Sequence, residues 1–275
     1  MAKDHTFFIG WDVGGWHCDN NTKSRDAIVI LNEQLSIVGN PWRGNLRSAI
    51  GGCVSSRDWH SEIFALCGIS PPVHLARFIM AIDTPLGFPE ALSELIAGNA
   101  YAAEVESSVT NPYLFRVTEQ YLFEKGLSPL SAVKDMIGSQ ATKGMHLIAK
   151  LGLARVHCGL WVEGDWFAVI ETYPAPCRNS ALMDELLAPF VRTKKVGHET
   201  EWVDPINHRD KADALVCALI AYCFDARHTD LVRPIESAPV SEGWIWLPRD
   251  VITNPEAHSA QLGEAVLVSV GARQQ

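Results

Sequence analysis

Two apolar runs each end on an aspartate just before a turn. FFIGWDV, residues 7–13, carries Asp12 into Gly14-Gly15, and FIMAID carries Asp83 into Thr84-Pro85-Leu86-Gly87. A carboxylate at the rim of a buried strand costs free energy unless something compensates its charge. The C-terminal rim of an open α/β sheet is also where ligands bind. If the two strands are parallel neighbours, their carboxylates stand about 5 Å apart, the spacing of adjacent strands. Like charges that close call for a cation between them. A third run, WFAVIE, delivers Glu171 before Thr172-Tyr173-Pro174, where proline stops the ladder. The helical run RDKADALVCALIAYCF, residues 209–224, adds Asp210 and Asp213 on one face. Asp210 in the first turn also suits the helix dipole alone. Asp213 lies next to an apolar stripe of Ala212, Leu215, Val216, Leu219 and Ile220, and packing that stripe on the sheet brings Asp213 to the rim. Converging oxygen donors without cysteine or paired histidine favour Mg²⁺ or Mn²⁺ over zinc. Carboxylate-held ions of this kind drive in-line phosphoryl transfer, so the chemistry implied is hydrolysis of a phosphodiester.

Three further residues are candidates for holding substrate. SQATKG, residues 139–144, opens a helix whose free N–H groups and Lys143 suit a phosphate, although the spacing of a P-loop is absent. Its alternative is an ordinary capped helix with a surface lysine. Arg116 follows NPYLF and either contacts substrate or pairs with Glu119 on a solvated helix face. His208, two residues before Asp210, is either a proton shuttle beside a metal-bound water or a loop residue. The dipeptides His17-Cys18 and His157-Cys158 make only a weak zinc motif.

The elements that must position these groups read as an α/β fold. Apolar runs at 7–13, 27–31 (AIVIL) and 35–38 (LSIV) predict three consecutive strands, the last two joined by a tight turn. SRDWHSEIFAL, residues 56–66, predicts a helix, and FIMAI a strand buried on both faces. Between about 89 and 152 the texture is helical, with three segments ending in glycine, and is expected to form a helical insertion. His157 to Val162 and Trp166 to Glu171 predict another strand pair, and Trp244 to Leu247 an edge strand in an otherwise irregular tail. No composition break divides the 275 residues, so a single domain over 1–275 is expected.

The balance of charge narrows the partners. Lys and Arg number 23 against 32 Asp and Glu, a net charge of −9. No overall positive field recruits a long polyanion, which leaves a short or structured nucleic acid as the expected partner. The seven cysteines are scattered without a C-x-x-C pair, as in a chain whose thiols stay reduced. The opening MAKDHTFFIG has too short an apolar run for a signal peptide, and no stretch approaches a membrane span. The expectation is a cytoplasmic protein with no membrane partner.

IGWDVGGW, AIDTPLGFP, SAVKDMIGSQATKGM, ETYPA, DKADALVCAL and EGWIWLP occur in that order. The set, covering roughly residues 7 to 248, resembles the predicted-nuclease family catalogued as domain-of-unknown-function family four-two-nine, a branch of the ribonuclease-H-like superfamily. The resemblance implies a mixed five-stranded sheet with three antiparallel strands first, helices on both faces and a metal site. It maps the first-strand carboxylate onto Asp12, the fourth-strand carboxylate onto Asp83, and the D-x-x-D of the last helix onto Asp210 and Asp213. It leaves Glu171 as ligand or rim hydrogen-bonder. Two other classes compete. IGWDVGG is also similar to the first phosphate loop of ATP-dependent kinases of the actin and sugar-kinase type, but the chain shows no second D-x-G-x-[TS] string. A non-catalytic scaffold that binds nucleic acid or protein is the third.

Overall fold

The computed structural model describes residues 5–72, 76–99, 104–193 and 200–253. The apolar runs at the start of the chain form β1 (His5–Asp12) and β2 (Asp26–Leu31), followed by β3 (Trp42–Gly44), α1 (Arg47–Gly52), α2 (Ser56–Leu66) and β4 (Ala76–Asp83). The stretch expected to be a helical insertion holds α3 (Glu90–Ile96), α4 (Val117–Glu124) and α5 (Gly138–Leu151). Next come β5 (Ala154–His157), β6 (Leu160–Glu163), β7 (Phe167–Thr172), α6 (Pro174–Cys177) and α7 (Ala181–Leu187). A ribbon of β8 (Val191–Thr193) and β9 (Glu201–Trp202), then α8 (Arg209–Ala226), β10 (Ile245–Trp246) and α9 (Asp250–Thr253), complete the described chain.

The main sheet is mixed. Its order is β3-β2-β1-β4-β7-β6-β5, with β10 paired alongside β7, eight strands where five were expected. β4 and β7 run parallel to β1, while β2, β3, β5 and β6 join by antiparallel pairing. Each face of the sheet carries its own core. On one, Phe8, Ile79, Ala81 and Ile170 pack under α8, whose residues from Ala214 to Ala221 are fully buried. On the other, Ile9, Trp11, Met80, Ile82 and Val169 pack with Trp59 and Phe64 of α2 and Leu147 of α5. His60 of α2 enters this second layer, stacked on Phe78 with ring centroids 3.9 Å apart and edge-on to Phe167 at 4.5 Å.

Gly10 sets how closely α8 approaches. A Cβ there would lie 1.8 Å from the Ala214 carbonyl oxygen, so only glycine lets the helix backbone rest on β1. Small residues on α8, Ala214 and Ala218, complete the contact.

Two expectations need correction. Residues 35–38 do not form the third strand. Leu35 sits at φ +57°, and the Asn32 side chain accepts hydrogen bonds from the N–H groups of Gln34 and Ser36, so the segment turns and only Ile37 bridges to Leu31. The third strand is Trp42–Gly44, paired with the first half of β2. The run 157–162 is not one strand either, because Gly159 at φ +72° turns the chain between β5 and β6. The expected edge strand at 244–247 is present as β10, parallel to β7. The last part of the single-domain expectation, residues 254–275, lies outside the described residues, as does 1–4. No helix among the described residues is long and apolar enough to cross a membrane.

Candidate active site

Strand parity decides which carboxylates meet. β1 and β4 pair in register, with Gly10 opposite Ala81 and Asp12 opposite Asp83. Side chains two apart on a strand share a face, so Asp12 and Asp83 project on the side that Gly10 gives to α8. Asp213 sits on α8 immediately before Ala214, the residue seated over Gly10. The three aspartates accordingly line one cavity of about 330 Å³ at the C-terminal end of the parallel strands. Pro129, Leu130 and Ile137 supply an apolar wall; Gln140, Tyr173 and Arg209 add polar groups.

The carboxyls repel one another in a poorly solvated place. Burial, followed by the charges of Asp83 and Asp213, raises Asp12 well above the ordinary carboxylate range. Asp83 is raised in the same way, first by burial and then by Asp213 and Glu171, with Arg178 and Arg209 opposing. Neither Asp12 nor Asp83 takes part in a side-chain hydrogen bond or ion pair among the described residues. Asp213 is different. It pairs with Arg178, at the C-terminal end of α6, and one of its oxygens is 3.7 Å from Arg209 Nε. Burial still raises Asp213, against the pull of both arginines.

Of the other candidates, Glu171 also lines this cavity, while Arg116, Lys143, Asp210 and His208 fall elsewhere. Glu171 is paired with Ile82 in the ladder and so projects on the opposite face from Asp83. There Arg116 grips both its oxygens, at 2.8 and 2.6 Å, and the Leu86 N–H donates to it at 2.8 Å. Arg116 is 1% exposed and also donates to Glu119 and to the Glu242 carbonyl, so the expected solvated pair is a buried one. Burial works to lower the Arg116 pKa, but Glu171 and Glu119 carry it above its usual value. Lys143 is fully buried rather than on the surface. Its Nζ pairs with Asp26 and donates to Asn45 at 3.1 Å and to the carbonyls of Gly14 and Gly15 at 3.3 and 3.4 Å. It thus ties down the turn that follows Asp12.

Asp210 and His208 hold the start of α8. Asp210 accepts from Arg43 Nε at 2.7 Å and from the Arg25 N–H at 2.9 Å. His208 is the N-cap, its Nδ1 accepting from the Asp210 N–H at 3.1 Å. Neither lines the cavity.

Three residues of consequence escaped the sequence reading. Arg178 and Arg209 counter the acidic cluster, and Asp26 anchors Lys143, Trp11 Nε1 and the N–H groups of Gly14 and Leu46. Asp26 carried a related signal, a charge at the start of a buried strand rather than at its close. Arg209 stood beside Asp210 in the helix start. Nothing in the spacing marked Arg178.

The donor set suits a hard cation. Asp12 and Asp83 are oxygen donors without partners among the described residues, and Thr84 in the same wall has a buried hydroxyl that makes no hydrogen bond there. No group of three or more His, Cys, Asp or Glu side chains among the described residues is already gathered at metal-holding distance. Comparison of the chain with protein-family models, with curated proteins and with solved structures finds no match.

Proposed function

We propose that the cavity is the active site of a divalent-metal-dependent nuclease, built on a ribonuclease-H-like fold and belonging to the predicted-nuclease family that the motifs resemble. The observation that carries this reading is the in-register pairing of Asp12 with Asp83 on the face where Asp213 arrives. The order β3-β2-β1-β4-β7, antiparallel for the first three and parallel thereafter, is the arrangement that superfamily implies, and it supports the reading. β6, β5 and β10 are then additions to that core.

Asp12, Asp83 and Asp213 would hold Mg²⁺ or Mn²⁺. When bound, such an ion supplies a Lewis acid that lowers the pKa of water and steadies the leaving oxygen of a phosphodiester. The chain's own contribution is positional. The Lys143–Asp26 pair fixes the turn after Asp12, Gly10 fixes the height of Asp213 above the sheet, and Asp210 with Arg43 fixes the start of α8. Arg209, 79% exposed along its side chain, meets an incoming phosphate at the cavity mouth. Glu171 holds the wall through Arg116. The charge of −9 fits a short or structured nucleic acid, and buried free thiols fit the cytoplasm.

The test is incubation with Mg²⁺ or Mn²⁺ and a panel of DNA, RNA, hybrid and branched substrates, with Asp12→Asn and an ATPase assay alongside. Cleavage that disappears in Asp12→Asn supports the nuclease. ATP turnover without cleavage, or neither activity, overturns it in favour of the kinase or the scaffold.

A further inference from the structure

Arg178 occupies the place at Asp213 that a cation would take. It extends from the end of α6, a segment packed against α8, and pairs with a carboxylate that is only 14% exposed along its side chain. Its charge also favours the ionised form of Asp83. Asp12 and Asp83, by contrast, have no such partner among the described residues. One member of the acidic trio is therefore paired from within the protein, and the other two line the cavity without a counter-ion among the described residues.

Charge balance limits how many ions the cluster can take. Glu171, which also lines the cavity, is matched by Arg116; with the trio ionised, three carboxylates against the guanidiniums of Arg178 and Arg209 then leave the cluster one negative charge. One divalent ion reverses that sign, and one phosphodiester, singly negative, brings the cluster to neutrality. A second divalent ion would leave it strongly positive. The cluster is thus balanced for one ion, one phosphodiester and both arginines.

We propose that Arg178 is a phosphate-binding residue held in reserve on Asp213. It leaves Asp213 when that carboxylate turns to a cation, and its released guanidinium donates to a non-bridging oxygen of the phosphodiester, the service a second ion gives in two-ion sites. Arg178 restrains cation binding before substrate arrives and strengthens phosphate binding afterwards. The inference rests on the nuclease reading of the same cavity.

Mn²⁺ binding separates the two. Free Mn²⁺ is followed by electron paramagnetic resonance against the 275-residue chain, its Arg178→Met and Arg178→Lys variants, and Asp12→Asn. Loss of the competing guanidinium is expected to tighten Mn²⁺ binding about tenfold in Arg178→Met, with Arg178→Lys between it and the parent chain. With Mn²⁺ saturating, KM for bis(p-nitrophenyl) phosphate is expected to rise about tenfold in Arg178→Met and to recover in part in Arg178→Lys. Equal or weaker Mn²⁺ binding in Arg178→Met overturns the reserve role while leaving the nuclease intact. Mn²⁺ binding by none of the proteins, or undiminished in Asp12→Asn, overturns the metal site and the role of Arg178 with it. Circular dichroism spectra that match the parent chain certify both variants, and Arg178→Lys carries the comparison if Arg178→Met fails to fold.

Discussion

Asp83 shows how a buried carboxylate burdens the fold that holds it. Burial and the neighbouring Asp213 raise its pKa, so the folded state holds a proton more tightly than the unfolded chain does. The contribution of this group to stability is complete below the unfolded carboxylate value of about 3.9 and is lost as pH climbs through the raised folded value. Asp83→Asn removes the loss. Its melting temperature at pH 7.5 should exceed that of the parent by about 3 °C, and the gain should vanish at pH 4, while cleavage is abolished. A scanning calorimeter that finds no gain at pH 7.5 contradicts the account. Arg116 behaves in the opposite way, because Arg116→Met strands Glu171 and Glu119 in the interior without a counter-charge. The loss should be about 3–5 kcal/mol by urea unfolding, and Glu171→Gln should cost less, since it leaves no uncompensated anion. At this scale the sequence revealed types but not depth. Asp12 and Asp83 were legible because a charge closing an apolar run needs an explanation wherever it stands. Arg116 and Lys143 looked like surface residues because a single chain does not show what surrounds a long side chain, and both side chains lie inside.

Among the elements, α2 and α8 could be read almost to their ends, since one has a Ser-initiated start and the other a long unbroken apolar run. The third strand could not. Asn32 uses its side chain to stabilise a turn where β-branched composition alone suggests an extended segment, and the short Trp42–Gly44 carries no alternation to notice. Register was equally hidden. Glu171 looks equivalent to Asp83 in a list of strand ends, yet one step of the ladder turns it toward Arg116 and the Leu86 N–H, so it reaches the cavity as a gripped part of the wall. The contact of α8 with β1 gives the sharpest test of positioning by elements. Gly10→Ala would drive a methyl into the Ala214 carbonyl and lift the helix, at a cost of about 1–3 kcal/mol. Because Asp213 moves with the helix, the rise in melting temperature on adding Mn²⁺ should shrink as well. A variant that is destabilised but keeps the full Mn²⁺ response would show that the helix height does not matter to the site.

For the whole molecule, the acid limb of stability and the reactivity of the thiols are set by burial. His60 is enclosed by Phe78, Phe167 and Trp166, and burial lowers its pKa to about 3. Its contribution is present above the unfolded value of about 6.5 and is lost as pH falls toward the folded one, about 2 kcal/mol between pH 6.5 and 4.5. His60→Phe should flatten that limb in urea titrations at the two pH values, and a slope equal to the parent's would place the acid sensitivity elsewhere. All seven cysteines are free and buried, with the Cys158 thiol pushed up to about 11 and those of Cys67 and Cys223 to about 12, burial being the first cause in each. A thiol-specific reagent such as dithionitrobenzoate should react slowly with the native protein and label seven sites in guanidinium.

The acidic trio is contributed by positions 12, 83 and 213, so about two hundred residues of chain separate its first member from its last. A polypeptide still leaving the ribosome has two of the three until α8 emerges and settles beside β1. On the nuclease reading proposed above, such a chain would do no harm to nucleic acid near the ribosome until that helix has been made. For the same reason, a proteolytic cut between residues 83 and 213 that lets the two pieces separate would disarm it.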